Sequence, residues 1–250
     1  MLKQTLQALK DGGINKDIIN IFVANKEEEV LYKEVIPSEY NIIVGVKGIV
    51  QQRKFIFDYY KEGQEIIQLD DDVKRIVLSN SPLFKGKSLD YFFKYAFDIC
   101  KKEDAYIWGI YPANNPYFMK NREEYTTELN YIVGCCFGVI NRKKKSLNLT
   151  ISQKYNGNKE DVERSILYFI EDGKVIRFNK VSFDTKYYNN TGGLGTFEER
   201  IKPMKEASIA LEKKYGDYGY IFTRPSGMTE FRLKKLKSNI MEGGKLKNED

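Results

Sequence analysis

Through the first 110 residues, short apolar runs alternate with segments whose apolar side chains recur every three or four positions. No other feature restricts the fold as much, because strand and helix periods bury different sets of side chains. Leu2, Leu6 and Leu9 mark a helix face that Gly12 and Gly13 end. IINIFVAN (18–25) reads as a strand, EEEVLYKEV resumes the helical period, and NIIVGV (41–46) is a second strand. QQRKFIFDYYKEG is helical, and EIIQLDDD (65–72) is a third strand that runs into three aspartates. Strands alternating with helices predict parallel βαβ units, hence an α/β fold with a mixed, mainly parallel sheet flanked by helices.

The remainder is less regular. SLDYFFKYAFDICKK (88–102) predicts a helix, AYIWGIYP (105–112) a strand ending at a turn, and NNPYFMKNREEY a loop. LNYIVGCCFGVINR (129–142) predicts a long strand or a strand pair. DVERSILYFIEDG (161–173) gathers Val162, Ile166, Phe169 and Ile170 on one helix face and stops at Gly173. VIRFN follows as a strand, and TGGLG as a glycine-rich loop. No repeat or linker divides the chain, so residues 1–235 are expected to form one domain and the Lys-rich residues 236–250 a mobile tail.

Histidine is absent, which excludes a Ser-His-Asp triad, a Cys-His pair and a histidine zinc site. Any general acid or base must then be a carboxylate, Lys, Tyr or Cys. No run approaches the roughly 18 apolar residues of a membrane span, so no membrane partner is expected. The first residues are interrupted by Lys3, Gln4, Gln7 and Lys10, unlike a signal peptide. With three cysteines, this predicts a cytoplasmic protein. The net charge of +6 favours anionic partners without choosing between phosphate ligands and nucleic acid. A P-loop fails because Ser81 stands where its first glycine belongs before Gly86-Lys87-Ser88. A dinucleotide fold fails because no G-x-G-x-x-G follows the early strands.

Three adjacent carboxylates at Asp70, Asp71 and Asp72 repel one another unless a cation, a basic side chain or a helix start compensates. At the carboxyl end of a parallel strand they would lie where open α/β sheets bind ligands. The alternative is a solvated helix cap.

The stretch VGVKGIVQQRKFIFDYYKEGQEIIQLDDDV resembles inverting GT-A glycosyltransferases, where a strand, a glycine, a helix-opening arginine and a strand ending in a DxD motif follow in order. The resemblance implies donor binding by Gly48, Arg53, Asp70 and Asp71, with Asp70 and Asp72 holding Mn2+ or Mg2+. In NKEDVERSILYF, Glu160-Asp161 matches the family's acidic motif before a helix, which implies a general base at Asp161 or Glu160. KYYNNTGGLG (186–195) resembles the loop that closes over the diphosphate, with Lys186, Gly192 and Gly193 as donor contacts. Together with IWGIYPANNPYFM and YIVGCCFGVI, these segments resemble the TET-associated glycosyltransferases of phages. That group implies a UDP-sugar donor, hexosyl or pentosyl transfer, a hydroxymethylpyrimidine in DNA as acceptor, and a host cytoplasm. The run Arg142 to Lys145 would meet DNA phosphates, or else is a solvated turn.

Two departures accompany the resemblance. Many relatives complete the metal shell with a histidine; here Asp184, Asn179, the diphosphate or water must substitute. The chain also opens on a helix where the family opens on a strand. Residues 217–237 read as a strand, a turn and a helix start, with Thr223, Arg224 and Ser226 at the turn. We therefore expect a circular permutation, with Tyr218 to Phe222 between the Ile18–Val23 and Glu65–Leu69 strands and with Thr223 and Arg224 on the nucleotide. An ordinary C-terminal edge strand is the alternative. The alternative functions are a catalytically inactive DNA-binding or scaffold module, and a transferase acting on a glycan or protein hydroxyl.

Overall fold

The computed structural model describes residues 2–185, 197–225 and 227–237. The early alternation takes form as α1 (Leu2–Asp11), β1 (Asn20–Val23), α2 (Lys26–Val35), β2 (Asn41–Val44), α3 (Ile49–Tyr59) and β3 (Glu65–Leu69). Beyond the aspartates come β4 (Val73–Val77), α4 (Leu89–Lys102), β5 (Ile107–Ile110), the single turn α5 (Pro116–Met119), β6 (Tyr125–Thr126) and β7 (Cys136–Ile140). The chain continues through α6 (Thr150–Lys154), α7 (Glu160–Asp172), β8 (Ile176–Phe178) and β9 (Ser182–Thr185). The last described elements are α8 (Phe197–Tyr215), β10 (Gly219–Thr223) and β11 (Thr229–Leu233). No helix among the described residues is long and apolar enough to cross a membrane.

The architecture is mixed α/β, with a mixed sheet flanked by helices. Five strands pair in the order β3-β7-β5-β8-β6, while β1-β2, β4-β9 and β10-β11 form separate pairs. One face of the five-stranded sheet packs Trp108, Ile110, Ile176 and Phe178 with Phe92, Phe93 and Phe97 of α4. On the other face, Ile66, Ile107, Phe137 and Val139 meet Tyr168 and Phe169 of α7. These two faces follow from the two-residue period of a strand: Trp108 and Ile110 alternate with Ile107 and Gly109.

The expectation of a mainly parallel sheet is corrected. Only β1-β2 and β5-β8 run parallel among the described pairs; β7 is antiparallel to both β3 and β5. The reason lies in the connections. Helix α4 lies between β4 and β5, and β5 emerges with the direction of β3. The link from β5 to β7 is not a single-helix crossover of the kind that keeps strands parallel: it runs through the single turn α5 and the edge strand β6, antiparallel to β8, before β7. LNYIVGCCFGVINR accordingly forms one strand of five residues, preceded by a loop.

The circular permutation is corrected as well. Gly219–Thr223 is a strand, but it pairs antiparallel with Thr229–Leu233 and not between β1 and β3. Gly227 adopts φ +83°, a left-handed backbone that suits glycine, and the Arg224 amide donates to Met228 O, which closes a hairpin. The expected helix start after Gly227 is therefore the return strand β11. Its Phe231 packs with Leu211 and Tyr215 of α8 and Ile166 of α7. The tail expected to be mobile lies outside the described residues from 238 onward, although Leu236 O accepts from the Leu129 amide.

Gly138 tests the packing between β5 and β7. A Cβ there would stand 2.2 Å from Trp108 Nε1, and the buried indole is ringed by Phe92, Phe93 and Phe97. Gly138→Ala should destabilise the fold by about 1–3 kcal/mol, the usual cost of overpacking. Thermal melting of the variant against the wild type measures this; an unchanged melting temperature would show that the indole has room to move.

Candidate functional site

Because β3 and β5 are both antiparallel to β7, and β8 is parallel to β5, the carboxyl ends of β3, β5 and β8 share one end of the sheet. Asp70 to Asp72 close β3 at that end. Their backbone is held from three sides. Thr5 of α1 donates its hydroxyl to Asp70 O and Val73 O, each at 3.1 Å. The Asp70 amide donates to Cys135 O, and the Thr185 hydroxyl to Asp72 O at 3.1 Å. With these backbone groups satisfied by protein, the partly exposed carboxylates are left to face other charges.

Arg53 is the residue that joins the turn to the rest of the site. It is buried in the second turn of α3, whose start at Gly48 has φ +99°. Its Nη1 donates to Gln68 Oε1 at 2.9 Å, and Nη2 to Gly134 O at 2.9 Å and Asp70 Oδ1 at 3.2 Å. On its third side Nε faces Glu160 Oε1 at 3.4 Å. Glu160, at the start of α7, binds Arg164 through its other oxygen. Both guanidinium carbons stand over the Phe137 ring, Arg53 at 5.0 Å and Arg164 at 3.8 Å. The chain Asp70·Arg53·Glu160·Arg164 therefore links β3, α3 and α7.

Electrostatics separate the carboxylates. The Asp70 side chain is 40% exposed, yet protein around it strips enough water to push its carboxyl up to about 6. Arg53 opposes that rise, and the Glu160 and Asp72 charges add to it. Asp71 is also raised, by burial and then by Asp72. Burial would raise Glu160, but Arg164 and Arg53 outweigh it and hold the carboxyl below its ordinary value. Asp161 goes the other way. It is raised by burial and by the Glu160 charge, against the lowering effect of the Tyr131 hydroxyl, which donates to Asp161 Oδ2. Tyr131 is placed by its neighbour Ile132, whose amide donates to the Ser165 hydroxyl of α7 at 2.9 Å.

Of the expected site residues, Arg53, Asp70, Asp71, Asp72, Glu160 and Asp161 thus gather at one end of the sheet, and Gly48 opens the helix that carries Arg53. Thr223 and Arg224 do not join them: Thr223 pairs with Thr229, and Arg224 binds Glu230 at 2.7 Å in the hairpin. Lys186, Gly192 and Gly193 lie outside the described residues. Asp184 already receives Arg75 Nε at 2.5 Å and Asn114 Nδ2 at 2.9 Å, and Asn179 is buried between Arg177 and Thr126. Of the run Arg142 to Lys145, read as a DNA contact or a solvated turn, Arg142 is buried in a two-pronged pair with Asp172, and Lys144 binds Glu171. That run follows β7 and so lies at the opposite end of the sheet from the aspartates. Sequence reading missed Thr5, Tyr131 and Arg164, whose partners lie 65, 30 and 4 residues away. Of these, Arg164 alone carried a local signal, its i,i+4 spacing from Glu160.

No protein-family model, curated protein or solved structure matches the chain.

Five carboxylates and two buried guanidiniums gather at this end of the sheet, an excess of negative charge. Among the described residues, no three acidic or thiol side chains already converge at metal-binding distances.

Two substitutions should separate the neighbouring acids of α7. Glu160→Gln leaves two buried guanidiniums short of charge and should cost about 3–5 kcal/mol, as broken buried pairs do. Asp161→Asn should do the reverse. A carboxyl raised in the folded state opposes folding once ionised, so its cost is absent below the unfolded pKa of about 4 and grows as pH rises through the folded value. The Asn variant should therefore gain on the wild type at pH 8 and lose that advantage near pH 3.5. Denaturant titrations at both pH values measure this, and an Asp161→Asn protein less stable at pH 8 would contradict it.

Proposed function

We propose that the chain is a metal-dependent glycosyltransferase of GT-A architecture, which transfers a sugar from a nucleotide-sugar, UDP-linked, to a hydroxyl of a hydroxymethylpyrimidine in DNA. The observation that carries this reading is the pairing of two unlike acidic groups across one guanidinium. An acidic turn with excess negative charge ends β3, and a half-buried Asp161 with a raised pKa stands on the far side of Arg53 and Glu160.

Transfer needs a base, because an alcohol at neutral pH is a poor nucleophile. Asp161 takes this role. Its raised pKa brings it closer to neutrality, and the Tyr131 hydroxyl fixes the orientation of its carboxylate. Glu160 is unsuited, since both its oxygens face arginines and its proton affinity is lowered. As the acceptor oxygen forms its bond to the anomeric carbon, the bond from that carbon to the diphosphate oxygen breaks and the acceptor proton passes to Asp161. A single displacement of this kind inverts the anomeric centre. Arg53 acts as a positioning residue: its donors are engaged by Gln68, Gly134 and Asp70, so it fixes the acidic turn and does not reach for the diphosphate. A divalent cation held by Asp70 and Asp72 would neutralise charge on the departing diphosphate.

Calorimetric titration of UDP-sugars with Mn2+ tests the donor half of this reading. Asp72→Ala should abolish metal-assisted donor binding in a folded protein; unchanged binding would remove the metal assignment. Asp161→Asn should leave donor affinity intact while lowering turnover by about two to four orders of magnitude, the scale of general-base catalysis. If the wild type binds no nucleotide-sugar at all, the inactive binding-module reading takes its place.

A further inference from the structure

The same end of the sheet carries a second, chemically different surface. After β5 the chain makes the turn α5, whose Tyr117 and Phe118 are 72% and 56% exposed, with ring centroids 5.3 Å apart. The turn beneath them is firmly seated. Met119 is fully buried, Asn115 accepts from the Tyr117 amide, and Arg122 Nε donates to Phe118 O at 2.8 Å. Two adjacent rings held in water on an anchored turn forgo the burial that such residues ordinarily gain.

Cations without counter-ions stand beside them. The guanidinium carbons of Arg122 and Arg177 lie 5.1 and 5.4 Å from the Tyr111 ring centroid, and Lys120 lies 5.2 Å from that of Tyr117. None of the three has a carboxylate within ion-pair distance among the described residues, whereas Arg142 and Arg164 each have one and Arg53 has two. Burial, and then the Arg122 charge, lower Arg177 to about 10, with Glu128 a more distant opposing charge. An anion would relieve that repulsion.

We propose that α5 and its flanks form the docking surface for a single-stranded segment of polynucleotide, with Tyr117 and Phe118 stacking on bases and Lys120, Arg122 and Arg177 meeting phosphates. Exposed rings interleaved with unpaired cations are the recurrent means of holding single strands. An acidic peptide would use the cations but would need apolar side chains of its own to cover both rings. Register also favours this surface. Gln68, Phe137, Gly109 and Arg177 form one row across β3, β7, β5 and β8, so Arg177 lies three strand spacings, about 14 Å, from the residue that Arg53 binds. The α5 loop is tied to the acidic turn as well: Asn114 binds Asp184, and the next residue, Thr185, binds Asp72 O. The inference rests on the proposed function in taking the polynucleotide to be the acceptor.

Fluorescence anisotropy of a labelled single-stranded oligonucleotide against the full chain, without donor, tests it. The wild type should bind, and Tyr117→Ala or Phe118→Ala should weaken binding about 5- to 150-fold, the range of base stacking. Arg122→Gln should reduce the salt slope by about 0.7, the share of one single-strand phosphate contact. Lys145→Ala, at the opposite end of the sheet, should change nothing. No binding by the wild type, or equal loss in Lys145→Ala, overturns the proposal. So does full competition by inorganic phosphate with no effect of either ring, which would mark a small-anion site, or tighter binding of duplex that ignores the rings. Because Asp72→Ala should leave anisotropy unchanged while removing donor binding, failure of one assay does not mimic failure of the other.

Discussion

Arg53 meets Gln68, Gly134, Asp70 and Glu160 from one buried position, and the arrangement of strand β3, helix α7 and the loop before β7 depends on it. Burying a guanidinium is costly unless opposite charge and hydrogen bonds return what water provided. Glu160 supplies the charge, shared with Arg164, and Phe137 offers its ring face to both arginines. The return is incomplete, for Arg164 Nε and Nη2 are buried without a hydrogen-bond partner. Such a network is weak evidence for stability and better evidence for specification. Glu160 can meet both arginines in one placement of α7, and that placement determines where Asp161 stands. Gly134 is part of the same constraint, since a Cβ there would lie 2.6 Å from Glu160 Oε1.

The acidic turn is held by a different means. Thr5, Cys135 and Thr185 bind its backbone and leave the carboxylates alone. Helix α1 and strand β9 therefore contribute to the site without adding an ionisable group to it. Holding backbone in place while leaving side chains under mutual repulsion stores an electrostatic cost that a bound cation would recover. The Asp70 and Asp71 carboxyls are raised first by burial, and the Asp72 charge adds to both.

Local period made α1, α3, α4 and α7 legible in the sequence, as well as the strand leading to the aspartates. Strand direction was not legible, because it depends on where a connection travels, and the link from β5 to β7 runs along the far edge of the sheet as β6 before it returns. Strands β4 and β9 pair across more than 100 residues, with Val73 opposite Thr185, and their mixed polarity gives no clean two-residue period. The β10-β11 hairpin was half visible, since Gly227 marked the turn but not the return strand. At the site, the acids could be found as a run, whereas the role of Arg53 could not: its partners Gln68, Asp70, Gly134 and Glu160 lie 15 to 107 residues away along the chain. Composition also cannot distinguish a free cation from a neutralised one. Arg142 sits in a basic run and is neutralised by Asp172, while Arg122 and Arg177 stand apart in sequence and both lie near one ring.

These two charge systems have to coexist at one end of the sheet without cancelling each other. A direct contact between Arg177 or Arg122 and the aspartates would neutralise both and leave neither able to hold a ligand. Separation by three strand spacings prevents this, and the middle of the row is apolar: Phe137 and the glycine at 109, over which Ile132 packs so closely that a Cβ would lie 2.6 Å from its Cγ2. Tyr131, the residue beside Ile132, is the one that binds Asp161. The loop that insulates the two charged regions therefore also positions the proposed base. A strand docked on the cationic side and a donor held on the acidic side would bring their reacting groups toward that loop. This ties the apolar middle of the row to the proposed chemistry as closely as the charged ends.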